Sequence, residues 1–283
     1  MTMRVSLVIA ACLLVVAPMG ACFTSGNSLP DDADDPKRPD APPTPPPDTP
    51  PVEHAFYAHS SNVLYKIDPL TNALTVVGPF SGAFDTLAGD AATDLALNAV
   101  GELYITTYNK IMRVDPQTAV ATLVSDALGY SGIALTFLPV DASNPTGPER
   151  LIAGGGNQLM EVNTSTGAVT PVGTMGSSMF FSGDLFYVRD VGIYAMVEAG
   201  AGSTSLARLD ETTFTGTSVG ITGFANVWGL AFYAGTFYGF SAAGQVFTID
   251  VNTGVGTLVV GPLPNVSFWG AGVSTTPPAN PIS

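Results

Sequence analysis

One short pattern recurs five times along the chain: an apolar residue, an Asp or Asn, a Thr three positions on, and another Thr four further. The copies are Ile67-Asp68 with Thr71 and Thr75, Val114-Asp115 with Thr118 and Thr122, and Val162-Asn163 with Thr166 and Thr170. Leu209-Asp210 with Thr213 and Thr217, and Ile249-Asp250 with Thr253 and Thr257, complete the set. Successive Asp or Asn positions are 47, 48, 47 and 40 residues apart. A period in this range marks a supersecondary unit that buries its apolar face against its neighbours, and the four-stranded propeller blade is the leading candidate.

Residues 54–278 carry this one period over 225 residues and are therefore read as one domain. Apolar residues alternate in short runs bounded by Gly, Asn, Asp and Ser, the pattern of strands and hairpins, and no stretch holds a 3.6-residue period. In each copy the Asp opens a turn by accepting backbone N–H groups just ahead, helped by Pro69 and Pro116, which pre-set φ. Asn72, Gly167 and Gly254 fall where a left-handed residue would close the hairpin. A second column begins further apolar strands at Asp94, Gly132, Gly183, Gly229 and Gly270, with small residues suited to the crowded centre of a propeller. The first unit starts at His54 without such an inner strand, while 269–275 is an inner strand with nothing after it. Joining the two predicts an all-β, five-bladed propeller of four-stranded blades, its closing blade shared between both ends of the domain. Residues 279–283 form a short tail.

Written as Leu-Tyr-x-Ile-Asp-Pro-x-Thr-x-x-x-Thr-x-x-Gly, most complete at 63–78, the repeat resembles those of bacterial extracytoplasmic propellers, the NHL-like and YVTN-like group. The resemblance covers essentially all of 54–278. It implies the fold firmly and the activity hardly at all, because this architecture hosts binding modules, lyases, lactonases and redox enzymes alike.

Upstream, residues 1–21 read as an export signal, with Arg4 before an apolar stretch from Val5 to Ala17 that is short for a membrane span. Met19-Gly20-Ala21-Cys22 resembles the bacterial lipobox, which implies cleavage before Cys22 and lipid transfer to its sulfur; an ordinary secreted protein cut near Ala21 is the alternative. The only other cysteine is Cys12, so the exported part can form no internal disulfide. Acyl chains contribute about 0.8 kcal/mol per buried CH₂, enough for durable attachment without a spanning helix. Phe23 after the cysteine, where an Asp would suggest inner-membrane retention, points to the bacterial outer membrane or cell surface. Residues 22–53 read as a tether: ten prolines lie between Pro30 and Pro51, mixed with Asp and almost nothing apolar.

Signals of chemistry are thin. His54 and His59 are the only histidines and read as surface or strand-end residues. Gly154-Gly155-Gly156 lacks the Lys-Ser/Thr pair and helix of a phosphate loop. Lactonase-type propellers hold a divalent metal in the channel with Asp, Asn and Glu, and Asp94, Asp184, Asn226 and Asn265 lie near inner-strand starts. Asp94 and Asp184 are offset by one position and no Glu joins them, which favours capping roles; no cofactor is expected, with calcium or zinc in the channel as the minority reading. Residues 54–278 hold 16 acidic against 6 basic residues, a net charge of −10, with no basic stripe for nucleic acid. Aromatic residues collect ahead of the inner strands: Phe80, Phe84, Tyr130, Phe180, Phe181, Trp228, Phe268 and Trp269. In a propeller these loops ring the channel mouth, so a ligand site is expected around Trp228, Trp269, Phe181, Tyr130 and Phe268, with Asp94 and Asp184 nearby; packing between blades is the competing role. The sequence thus reads as a monomeric, lipid-anchored module binding a protein or glycan without catalysis. A metal-dependent lactonase-like hydrolase and a structural envelope protein are the alternatives.

Overall fold

The structure is a computed structural model, and it describes residues 55–128, 132–144, 146–199 and 203–278. The sequence expectations for Cys22, the export signal, the tether, His54 and Tyr130 lie outside these residues. Five antiparallel sheets form an all-β, five-bladed propeller. The closing blade runs Gly270–Gly272, Phe56–His59, Val63–Ile67 and Leu74–Pro79 from the axis outward. Blade two runs Asp94–Leu97, Leu103–Thr106, Ile111–Val114 and Val120–Ser125, with the short Ser81–Gly82 strand added in parallel at its rim. Blade three is Ala134–Pro139, Glu149–Gly155, Gln158–Val162 and Val169–Thr174. Blade four is Phe181–Val188, Gly192–Glu198, Ser203–Leu209 and Gly216–Ala225, and blade five Val227–Tyr233, Thr236–Ser241, Val246–Ile249 and Gly256–Val260.

The repeated Asp-x-x-Thr turn has one geometry in every blade. Asp68 Oδ1 accepts the Leu70 and Thr71 N–H groups at 2.8 and 3.3 Å, and Asp250 Oδ1 those of Asn252 and Thr253 at 2.8 and 3.0 Å. Asp115, Asn163 and Asp210 accept the equivalent pairs. Those backbone donors hold the carboxylates of Asp68, Asp210 and Asp250 below the usual range. The residue four beyond the Asp or Asn is left-handed in all five copies, at Asn72, Ala119, Gly167, Phe214 and Gly254. For Ala119 and Phe214 this conformation costs about 1–2 kcal/mol. Both side chains are buried in core clusters, and the Phe214 ring lies where a Cβ on Gly173 would stand, so packing offsets the strain. The second repeated Thr faces the outward polar residue of the third strand, as in Lys66↔Thr75 and Arg113↔Thr122.

A further repeat appears only in the register. The pairing of third and outer strands slips by one residue in every blade, and the unpaired outer-strand residue is Val77, Val124, Val172, Val219 or Val259. Each is nine positions beyond its Asp or Asn. Such a bulge bends and twists the outer strand. Val77, Val124, Val172 and Val219 turn toward the clusters between blades.

Closure follows the predicted seam: Tyr57, Ala58 and His59 pair with Gly272, Ala271 and Gly270. Residues 273–278 then run across the far ends of the inner strands. Ser274 Oγ donates to Asn98 O at 3.1 Å, Arg189 N donates to Thr275 O at 3.1 Å, and Ala234 N donates to Pro278 O at 2.8 Å. Glu149 anchors the crossing: its carboxylate accepts Thr275 Oγ1 at 2.5 Å and Ala99 N at 2.7 Å. Axis and exit are therefore tied through blades two to five.

Glu149→Ala should strip an acceptor from two partly buried donors, at a cost on the order of 1–3 kcal/mol for each group left unpaired. Thermal melting should fall accordingly, by about 2–4 °C per kcal/mol for a domain of this size. Glu161→Ala, which removes the more exposed partner of Arg150 at 3.1 Å, should cost no more than about 1 kcal/mol. Equal losses for the two variants would mean that Glu149 does not anchor the crossing.

Candidate functional site

Each blade sends one residue to the mouth of the axis, immediately ahead of or within the start of its inner strand. Thr93, Ile133, Ser182, Trp228 and Trp269 make this ring, and with Gly183 and Tyr108 they line a pocket of about 210 Å³. Backbone irregularities aim two members. Trp228 is the extra residue of a bulge between Val227 and Gly229, and Ser182 lies in the irregular stretch between Phe181 and Leu185. The indoles of Trp228 and Trp269 meet edge-to-face, with centroids 5.7 Å apart and planes at 74°. Gly183 keeps them in place, since a Cβ there would lie 2.6 Å from Val227 O and 2.8 Å from Trp228 Cα. Tyr108, half-exposed at the tip of the hairpin between the second and third strands of blade two, completes the aromatic wall.

The lining carries no charge. Its hydroxyls differ in state: Thr93 Oγ1 donates toward Thr106 O and Gly132 O at 3.2 and 2.9 Å, whereas the buried Ser182 Oγ has no hydrogen-bond partner. A larger groove of about 740 Å³ flanks the repeat turn of blade two, and Arg113, Glu102 and Asp115 make it polar.

One residue deeper lies a fully buried polar layer. Asp94 Oδ2 accepts Leu135 N from blade three at 2.7 Å, and Asp184 Oδ2 accepts Leu230 N from blade five at 2.5 Å. The two carboxyls are hydrogen-bonded to each other. Burial raises both pKa values well above the ordinary carboxylate range. The charge of Asp94 lifts Asp184 further, while bonds from Asp184 and from backbone N–H groups hold Asp94 lower. His59 completes the layer. It is fully buried, its Nδ1–H donates to Ser60 O at 2.8 Å, and its Nε2 has no partner. Burial pushes its pKa down to about 4, so the ring is neutral. A Cβ on Gly270 would collide with His59 Nε2 and stand 2.6 Å from Asp94 Oδ1, which makes that position glycine.

Trp228 and Trp269 meet as the sequence places them, and Asp94 meets Asp184 despite their offset, because the irregular stretch before Leu185 absorbs it. Three expectations are corrected. Phe181 is buried between blades three and four, with its ring on Gly154, and does not face the mouth. Phe268 is fully buried, packed edge-on against Tyr65 and Phe240, because the chain turns inward there to reach the seam. His59 is at a strand end but at the axis, not the surface. Tyr108, Thr93, Ile133 and Ser182 were not anticipated. Thr93 and Ser182 share the column of the tryptophans and carried that signal; Ile133 stands two positions off it, because the inner strand of blade three begins at Ala134 and not at Gly132, and Tyr108 is marked only by standing at a hairpin tip. Among the described residues, no three His, Cys, Asp or Glu side chains are placed to hold a metal ion.

The layer has a pH signature. Because both carboxyls titrate above the ordinary range, the native pair retains a proton at pH values where the unfolded chain has released it, so its contribution falls as pH rises; His59 acts oppositely, since between about pH 4 and 6.5 only the unfolded chain protonates it. Asp184→Asn, which keeps a donor to Asp94 and an acceptor for Leu230, should unmask the histidine. Its denaturant-measured stability should rise with pH in that window more steeply than that of wild type. Parallel profiles would show that the pair holds no such proton.

No protein-family model and no curated protein matches the sequence. Solved structures do match in fold. A chain of the nidogen/laminin complex superposes with a TM-score of 0.51 at 9% identity, covering 77% of this chain and 97% of that one. An auxiliary nutrient binding protein from Bacteroides thetaiotaomicron gives 0.45 at 13% identity, covering 76% and 56%. A Dos1 propeller gives 0.39 at 15% identity, covering 75% and 57%. At 9% identity the likeness to the nidogen/laminin chain is one of fold alone; by its own five sheets the chain is a five-bladed β-propeller.

Proposed function

We propose that this protein is a lipid-anchored, extracytoplasmic propeller of the NHL-like or YVTN-like kind that binds a protein or glycan ligand without transforming it. The observation that carries the reading is the mouth of the axis, where all five blades contribute one residue and both tryptophans of the chain converge on one uncharged pocket. Concave, largely apolar sites with a few polar groups are where ligands bind, and Trp supplies large contact area with little entropy to lose. The far end of the axis is crossed by residues 273–278, so a ligand enters from the tryptophan face alone. A hydrolase in the channel would need Asp94 and Asp184 to hold a metal, whereas their oxygens serve backbone N–H groups and each other. An envelope spacer gives the pocket no use. Anchoring rests on the lipobox-like Met19-Gly20-Ala21-Cys22 and the Pro-rich segment behind it.

Cys22→Ser should leave an unprocessed or poorly membrane-associated chain, read by detergent partitioning and labelled fatty-acid incorporation. Partitioning like wild type after signal cleavage would remove the anchor from this reading. In the full chain, wild-type tryptophan emission should be quenchable by acrylamide. Trp228→Ala and Trp269→Ala should each weaken ligand binding by roughly 1–3 kcal/mol. If both variants instead lose thermal stability and keep full affinity, the tryptophans serve packing and the site lies elsewhere.

A further inference from the structure

We propose that the axis pocket takes a single neutral sugar ring, one pyranose residue at the end of or within a glycan; this rests on the ligand-binding reading above. Size sets the first limit. Pockets for drug-sized ligands run to roughly 300–1,000 Å³. This one, at about 210 Å³, admits a group the size of one ring. Shape sets the second. Trp228 and Trp269 stand nearly perpendicular, so the pocket offers two aromatic walls meeting at a corner. A pyranose matches them with a flat C–H face and a rim of hydroxyls.

Polarity decides among ring-sized occupants. Ser182 lines the pocket, and its Oγ is shut away without a partner, a cost that natural structures seldom leave unmet. A serine hydroxyl is re-aimed by rotation about χ1 between staggered wells. Thr93 has committed its proton to Gly132 O and Thr106 O, so what it retains is a lone pair. A sugar hydroxyl is both donor and acceptor and can serve the two. An aliphatic or aromatic peptide side chain would fill the walls and leave Ser182 unpaired. A quaternary ammonium would do the same, since it makes no hydrogen bonds. Anionic sugars meet no cation in the lining.

The full chain should be applied to a printed array of neutral and acidic oligosaccharides, alongside Trp228→Ala and Ser182→Ala. Saturable binding confined to neutral glycans is expected, weakened on the order of tenfold or more by Trp228→Ala and roughly fivefold by Ser182→Ala, with the Ser182→Ala melting temperature not lowered. Binding confined to acidic glycans, or indifferent to Ser182→Ala, overturns the proposal. Choline chloride and N-acetyl-leucinamide, titrated against tryptophan fluorescence, separate the remaining failures. If no glycan binds but either probe quenches wild type and not Trp228→Ala, the pocket is a ligand site and the sugar assignment alone falls. If glycans and both probes leave wild type unchanged, the pocket reading falls with it.

Discussion

Inner strands that splay from a common axis cannot complete one another's hydrogen bonds, and buried N–H groups facing the axis need acceptors from somewhere. In this propeller the preceding blade supplies them. Asp94 serves Leu135, Thr136 Oγ1 accepts Tyr187 N at 3.0 Å, and Asp184 serves Leu230, linking blades two to three, three to four and four to five. Sheets meeting this closely also leave no room for side chains, as at Gly229, where a Cβ would lie 2.6 Å from Ala271 N. The buried carboxyl pair is thus a structural answer to convergence. Its position just under the mouth fixes the five residues above it.

The periodic part of this arrangement was readable because its cause is local. An Asp or Asn that accepts two N–H groups ahead of it dictates its turn whatever surrounds it, so five turns, their spacing and the seam between 54–59 and 270–275 followed from the residues alone. The Val nine positions on was in plain sight as well. Its meaning was not, since a bulge is a statement about register and needs the partner strand. Ala119 and Phe214 escaped for a related reason: neither residue type favours a left-handed backbone, and only burial of their side chains explains why they adopt one.

The site was legible by column and illegible by direction. Position ahead of an inner strand brought Trp228 and Trp269 to the mouth, but Phe181 and Phe268 share that neighbourhood and point into the core. Whether an aromatic side chain faces the axis or the gap between blades turns on single-residue irregularities, such as the one at Trp228. Sequence spacing does not reveal these. Tyr108 reaches the same pocket from a different hairpin, a convergence created by tertiary structure alone. The result is a small aromatic site whose walls come from five rigid sheets and whose precision is that of the ring itself.

Tyr57 and Gly272, partners across the seam, are 215 residues apart in the chain. Bringing such distant segments together costs roughly 5 kcal/mol of loop entropy beyond the constant term. A strand of only three residues, Gly270–Gly272, is a slight return on that cost. The anchors that follow it on Asn98, Glu149, Arg189 and Ala234 add to that return, and none of them involves the Phe56–His59 strand. Blades two to five are built from local pairings, whereas the closing blade alone joins the two ends of the domain. The ring is therefore fastened twice and by separate means: the short strand holds the first blade to the last segment, and the anchors hold that segment to the other four blades.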